Sequence, residues 1–146
     1  MTTATSYIAK AKIIINASAD KVWNALVNPH MIKKYMFGTT VNSDWKEGSR
    51  ISWKGEWEGK PYEDKGVILR LRPNEKLQYS HFSPISGLDD IPENYHIVTI
   101  ELAEKDKQTT VILTQDNNAN EKERVHSEKN WMTMLNNLKK LLEEKN

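Results

Sequence analysis

Cysteine is absent from this sequence. Disulfides, thiolate nucleophiles and cysteine-based metal sites are thereby excluded. No apolar run reaches membrane-spanning length, and the opening segment from Met1 to Tyr7 lacks the apolar core of a signal peptide. Neither a membrane nor the secretory route is expected, so the predicted location is cytoplasmic and the sequon Asn16-Ala17-Ser18 is chemically idle. No charge of one sign dominates either. The 21 Lys and Arg are matched by 20 Asp and Glu, which leaves no positive surplus to hold a phosphate backbone and argues against a nucleic-acid partner. Apolar residues are only 38% of the chain and the mean hydropathy is −0.71. Five Trp and five Tyr offset that shortage with large buriable surfaces. Repeats, low-complexity tracts and long linkers are also missing, and 146 residues suit a single domain over the whole chain.

What is there reads first from the C-terminal end. Between Glu121 and Glu144 the residues Trp131, Met134, Leu135, Leu138, Leu141 and Leu142 recur at steps of three and four, one stripe of an α-helix. Upstream the same stripe carries Arg124, Ser127 and Glu128. A helix so divided can close a core with its apolar half and border a cavity with its polar half. Asn120 with Glu123 resembles a capping box at its start.

The rest of the chain alternates with period two, apart from two short helices. Tyr7 to Asn16 reads as a strand with Tyr7, Ala9, Ala11, Ile13 and Ile15 inward. Ser18 is suited to cap a helix carrying Val22, Trp23, Leu26 and Val27. Asn28-Pro29 restarts the chain in a second helix that stops before Gly38. Ile51, Trp53 and Trp57 then alternate with polar residues, and Val67 to Arg72 forms a further strand with Leu69 and Leu71 predicted inward. Leu77, Tyr79 and His81 follow, then a long connection from Ser83 to Asn94, then strands over His96–Leu102 and Thr109–Asp116. Strands joined by short turns make an antiparallel meander. The predicted architecture is α+β: a curved antiparallel sheet wrapped around the long C-terminal helix, with the two short helices closing one end.

This layout resembles the SRPBCC superfamily, also called START-like or birch-pollen-allergen-like, which shares a helix-grip fold. Within it the chain is similar to the family of the activator of heat-shock-protein ATPase. The likeness is carried by Ala19-Asp20-Lys21-Val22-Trp23-Asn24-Ala25-Leu26 with Asn28-Pro29, by Gly66 to Pro73 with Leu77 and Tyr79, by Val98 to Leu102 and Thr109 to Gln115, and by Trp131, Leu135, Leu138 and Leu142. It departs at Asn130, where the family often has Gly. The resemblance implies a ligand cavity, a fold that hosts varied activities, and, through the family name, a chaperone interaction. A homodimer is left open. No cofactor is implied.

His81 shares parity with Leu77 and Tyr79, and His96 with Val98 and Ile100. If their strands pair across the long connection, the imidazoles meet at the cavity mouth, where they can orient a polar ligand head or move a proton. The alternative is two strand-end histidines bonded to backbone or water. No third ligand stands beside either, so no metal is expected. Trp53, Trp57 and Trp131 are either aromatic walls of a binding site or core filling. Among acids, Glu128 lies under the Trp131 stripe and would be a cavity acid or a partner of Arg124, whereas alternation leaves Glu63 and Asp64 without an assigned face.

The candidate ligand-contacting set is Tyr35, Met36, Trp53, Trp57, Tyr79, His81, His96, Glu128, Trp131 and Leu135, gated by the Ser83–Asn94 connection and the segment around Tyr35 and Met36. Its predicted occupant is a small hydrophobic or aromatic molecule with one polar head. Two other functions fit the sequence: a cyclase-, dehydratase- or hydrolase-type enzyme using the cavity His and Glu residues, and a chaperone-interaction module.

Overall fold

The computed structural model describes residues 7–144, apart from the Trp57 side chain. Seven strands form one antiparallel sheet: β1 (Tyr7–Ile15), β2 (Thr40–Ser43), β3 (Arg50–Trp57), β4 (Lys60–Arg72), β5 (Lys76–His81), β6 (His96–Lys105) and β7 (Gln108–Asn118). Their spatial order is β1-β7-β6-β5-β4-β3-β2, so only the β1–β7 pairing joins strands distant in sequence. Between β1 and β2 lie α1 (Ala19–Val27) and α2 (Pro29–Tyr35), and α3 (Glu121–Glu143) ends the chain. Among the described residues no helix is long and apolar enough to cross a membrane.

Local chemistry accounts for the helix starts. The Ser18 hydroxyl accepts from the Lys21 amide, Asn28 accepts from His30, and Asn120 accepts from Glu123, each satisfying an amide that the first turn leaves free. One face of the sheet and the apolar half of α3 make the core. Ala11, Ile15, Ile68, Val98, Val111 and Leu113 pack there with Met134, Leu135 and Leu138, all nearly inaccessible. Val22, Trp23 and Leu26 of α1 and Ile32 of α2 close one end.

The helix also covers the margin of the sheet. β1 is an edge strand, and its unpaired backbone groups are met by side chains of α3. Glu128 accepts from the Lys10 amide at 3.0 Å, Glu143 accepts from the Asn16 amide at 2.6 Å, and Lys139 donates to the Ile14 carbonyl at 2.7 Å. The Lys139 ammonium also pairs with Glu143, holding that carboxyl below the usual carboxylate range.

One register shift has consequences for every residue on β4. Ile68 pairs with Tyr79 but Arg70 pairs with Gln78, so Leu69 is the extra residue of a β-bulge. The bulge turns both Ile68 and Leu71 toward the core and Leu69 to the opposite face. The sequence-based parity had Leu69 and Leu71 inward together; the bulge overturns that for Leu69. N-terminal to it, the even-numbered residues of β4 face the concave side. Gly66 sits among them, and a Cβ there would fall 1.7 Å from the Ser80 carbonyl oxygen. The two backbones cannot approach this closely around any side chain.

Gly66→Ala is expected to destabilise the protein by about 2–3 kcal/mol, the cost of overpacking a pinched strand pair. Urea unfolding monitored by circular dichroism measures it; an alanine variant as stable as the parent removes the close-approach argument.

Candidate functional site

The concave face carries a row of rings. The Trp53 and Tyr79 centroids are 5.0 Å apart and the Trp53 and His81 centroids 4.9 Å, the latter edge-on at 63°. His81 and His96 are directly opposite each other across β5 and β6, with centroids 6.5 Å apart. Asp64 of β4 is the cross-strand partner of Trp53 of β3, and its Oδ2 lies 3.0 Å from His81 Nε2. The register shared by the Ile68–Tyr79 and Lys65–Phe82 pairs puts Gly66, which has no side chain, opposite His81.

Hydrogen-bond partners settle the imidazole tautomers. A backbone carbonyl only accepts, so His96 Nδ1, 2.8 Å from the Asp116 carbonyl oxygen, carries the proton. His81 donates from Nε2 to the Asp64 carboxylate. In the neutral rings this leaves His81 Nδ1 and His96 Nε2 as acceptors. Asp64 Oδ1 is enclosed and has no hydrogen-bond partner among the described residues. Unsatisfied buried acceptors are uncommon, since each forfeits its hydration. Trp53 and Tyr79 are both 6% exposed, whereas the His81 side chain is 27% exposed, so the row runs from the core toward solvent.

Other predicted contact residues lie away from the imidazoles. Tyr35 is buried with its hydroxyl on the Ala25 carbonyl, and burial pushes its phenol, like that of Tyr79, well above the usual range. Tyr35, Met36, Trp53, Tyr79 and Met134 border an internal void of about 20 Å³. That is room for about one water, not for a metabolite. Leu135 is fully buried in the packed core. Trp131 is half-buried and donates from Nε1 to Gln115 Oε1 at 2.6 Å. Of the two roles open to Glu128, the structure shows the pairing: Arg124 Nη1 lies 2.5 Å from its Oε2, which also takes the Lys10 amide. Ser127 bonds to Asn118 at 2.9 Å, so the polar half of α3 is occupied in ties to β1 and β7. The Trp57 side chain lies outside the described residues.

The Ser83–Asn94 connection, predicted to gate the interior, lies instead over the convex face. Its Asp90 pairs with Lys65, which points outward, and accepts from the Tyr95 hydroxyl at 2.6 Å. These two bonds hold the Asp90 carboxyl below its ordinary range. Tyr95 stacks on Phe82 at 5.1 Å. Parity explains the displacement: Phe82 and Tyr95 each follow or precede an inward histidine by one residue, so both face outward. The larger open clefts, of about 700 and 880 Å³, are on this outer side.

Asp64, a candidate acid to which alternation assigns no face, is turned by the structure toward His81. Counting back from Leu69 and Leu71 would turn Glu63 inward. The structure leaves Glu63 exposed and paired with Lys54 at 3.9 Å. The available signal was Gly66 with Ile68, which share Asp64's parity. Among the described residues no group of three or more His, Asp or Glu stands close enough to hold a metal ion.

The sequence profile of the family described as activator of Hsp90 ATPase homolog 1-like protein matches residues 16–143. The chain belongs to this family. The solution structure of ChR145 from Cytophaga hutchinsonii is 62% identical, covers 98% of this chain and 97% of its own, and superposes with a TM-score of 0.84. The Aha1 dimer from Colwellia psychrerythraea is 23% identical over 94% of this chain and 96% of its own, with a TM-score of 0.72. CalU16 from Micromonospora echinospora is 19% identical over 97% of this chain and 88% of its own, with a TM-score of 0.71. The latter two share the fold. No curated protein matches the sequence.

The tautomer assignment is directly measurable. Long-range ¹H–¹⁵N spectra of histidine-labelled protein at neutral pH are expected to show His81 protonated at Nε2 and His96 at Nδ1. Asp64→Asn should alter the His81 pattern alone; the reverse tautomers in the parent would discard the assignment.

Proposed function

We propose that this member of the activator of Hsp90 ATPase homolog 1-like family binds a small apolar or aromatic molecule within the grip of sheet and α3. The polar end of the molecule is directed at His81 and His96. The observation that carries this reading is the row Tyr79–Trp53–His81–His96, which leads from a buried aromatic wall to half-exposed imidazoles. Flat aromatic walls give contact area with few rotamers to freeze, and a small number of polar groups then orient the ligand.

An interior with about 20 Å³ to spare requires that the ligand open its own space. Met36 and Met134 border the void, and unbranched thioether side chains re-pack at low cost. Met36 also follows α2 directly, at the exposed end of the molecule where Phe37 is 62% exposed. The resting state is thus closed, and binding selects a form with Met36 swung out.

A second reading, proton transfer on the bound molecule, is favoured by the Asp64–His81 bond, since a carboxylate that orients an imidazole leaves its far nitrogen free as a base. The dimeric Aha1 of Colwellia supports a homodimer as an accompanying proposal.

Tryptophan emission and thermal melting in the presence of a panel of hydrophobic metabolites test the first reading. A binder present at a hundred times its Kd is expected to add about 2.7 kcal/mol of stability. Met36→Ala should tighten binding and Trp53→Ala abolish it. A panel in which no compound moves either signal defeats the proposal, and a ligand recovered with unchanged mass after long incubation removes the catalytic reading. Light scattering on the same samples is expected to give twice the monomer mass; a monomer would retire the dimer.

A further inference from the structure

We infer that the polar head accepted at this site is a hydrogen-bond donor, and specifically an organic ammonium or amidinium group on an aromatic or apolar body, rather than a carboxylate or phosphate. This rests on the small-molecule reading above and specifies its ligand class.

Donors and acceptors at the site decide the ligand class. At the Asp64–His81–His96 end of the row, three hetero-atoms are left over once the internal hydrogen bonds are counted: Asp64 Oδ1, His81 Nδ1 and His96 Nε2. With the rings neutral, all three accept. Asp64 Oδ1 is enclosed and unpartnered, a state that a donor from the ligand relieves and an anion aggravates. Lys54 and Lys65, the cations next in sequence to Trp53 and Asp64, pair on the outer face with Glu63 and Asp90. Arg124 is likewise taken up by Glu121 and Glu128. None of them is bonded to the Asp64 carboxylate.

The surroundings suit a cation beyond the acceptors alone. The Trp53 ring lies against His81, the partner of Asp64, and its opposite neighbour is the Tyr79 ring. An ammonium at Asp64 Oδ1 would therefore stand beside an indole, whose electron-rich face attracts cations. Its bond to the carboxylate would be charge-assisted, roughly twice as strong as a neutral pair. A carboxylate ligand would meet Asp64 as a like charge and two imidazole lone pairs as fellow acceptors. Specificity here arises as much from rejection of anions as from attraction of cations.

A matched series on one ring system tests this: tryptamine, indole and indole-3-acetate, titrated into uniformly ¹⁵N-labelled protein and followed at the Trp53 and His81 resonances. Tryptamine is expected to bind at least about ten-fold more tightly than indole-3-acetate, a difference of about 1.4 kcal/mol. Asp64→Asn, which keeps the side-chain shape, is expected to bring the two within about three-fold, with the variant's melting curve reporting that it is folded. Equal or tighter binding of the acetate, or a preference for the amine that survives Asp64→Asn, overturns the inference. If indole binds and the amine has no advantage, only the ligand class is wrong. If none of the three perturbs Trp53 or His81, the small-molecule reading fails and the inference falls with it.

Discussion

The bulge at Leu69 decides what β4 presents to each side of the sheet. Strand geometry alternates side chains strictly, so inserting one residue exchanges the faces of everything on one side of the insertion. Here the exchange brings Ile68 and Leu71 together into the core and puts Asp64 and Gly66 on the concave side. The turn before β3 holds the distortion in place. Gly48 donates to the Ile68 carbonyl at 2.7 Å, Ile68 donates to the Ser49 carbonyl at 2.9 Å, and the Glu47 carboxylate takes the Leu71 amide at 3.0 Å. The Asp64–His81 pair exists because this register places the carboxylate two residues along from the glycine that faces His81.

The C-terminal helix does two jobs with two kinds of residue. Met134, Leu135 and Leu138 are nearly inaccessible, and burial of side chains of this size contributes on the order of 1.5–3 kcal/mol each. Glu128, Lys139 and Glu143 bind the backbone of the edge strand. An edge strand left open is a template for pairing with another chain, so these contacts guard against association there as well as anchoring the helix. The polar half of α3 is thus a fastening to the sheet margin. The ring row on β3, β5 and β6 is left as the chemically distinctive part of the concave surface.

That division leaves the groups of the proposed site on the sheet. Sheet strands are rigid platforms, and groups held by cross-strand register keep their spacing without help from a loop. The Ser83–Asn94 connection is fastened to the outer face through Asp90, Lys65 and Tyr95. In the proposed binding mode, entry to the interior falls to the end of α2, where Met36 borders the void and precedes the exposed Phe37.

Period and capping were legible in the chain itself. Alternation located the strands, Ser18, Asn28 and Asn120 marked the helix starts, and the spacing from Trp131 to Leu142 marked the covering helix, because each of these depends on neighbours a few residues away. The facing of His81 and His96 was legible too, since consecutive strands across a connection pair by default. What the tertiary structure alone decided was the bulge, and with it the identity of the acid beside His81; the commitment of Glu128 to the β1 edge; the outward path of the long connection; and the near-closure of the interior. Those features depend on how distant backbones meet. A pattern with a period of two or 3.6 residues carries which face a side chain occupies relative to its neighbours, but the count is reset wherever packing between strands inserts a residue, and only the packed chain records where that happens.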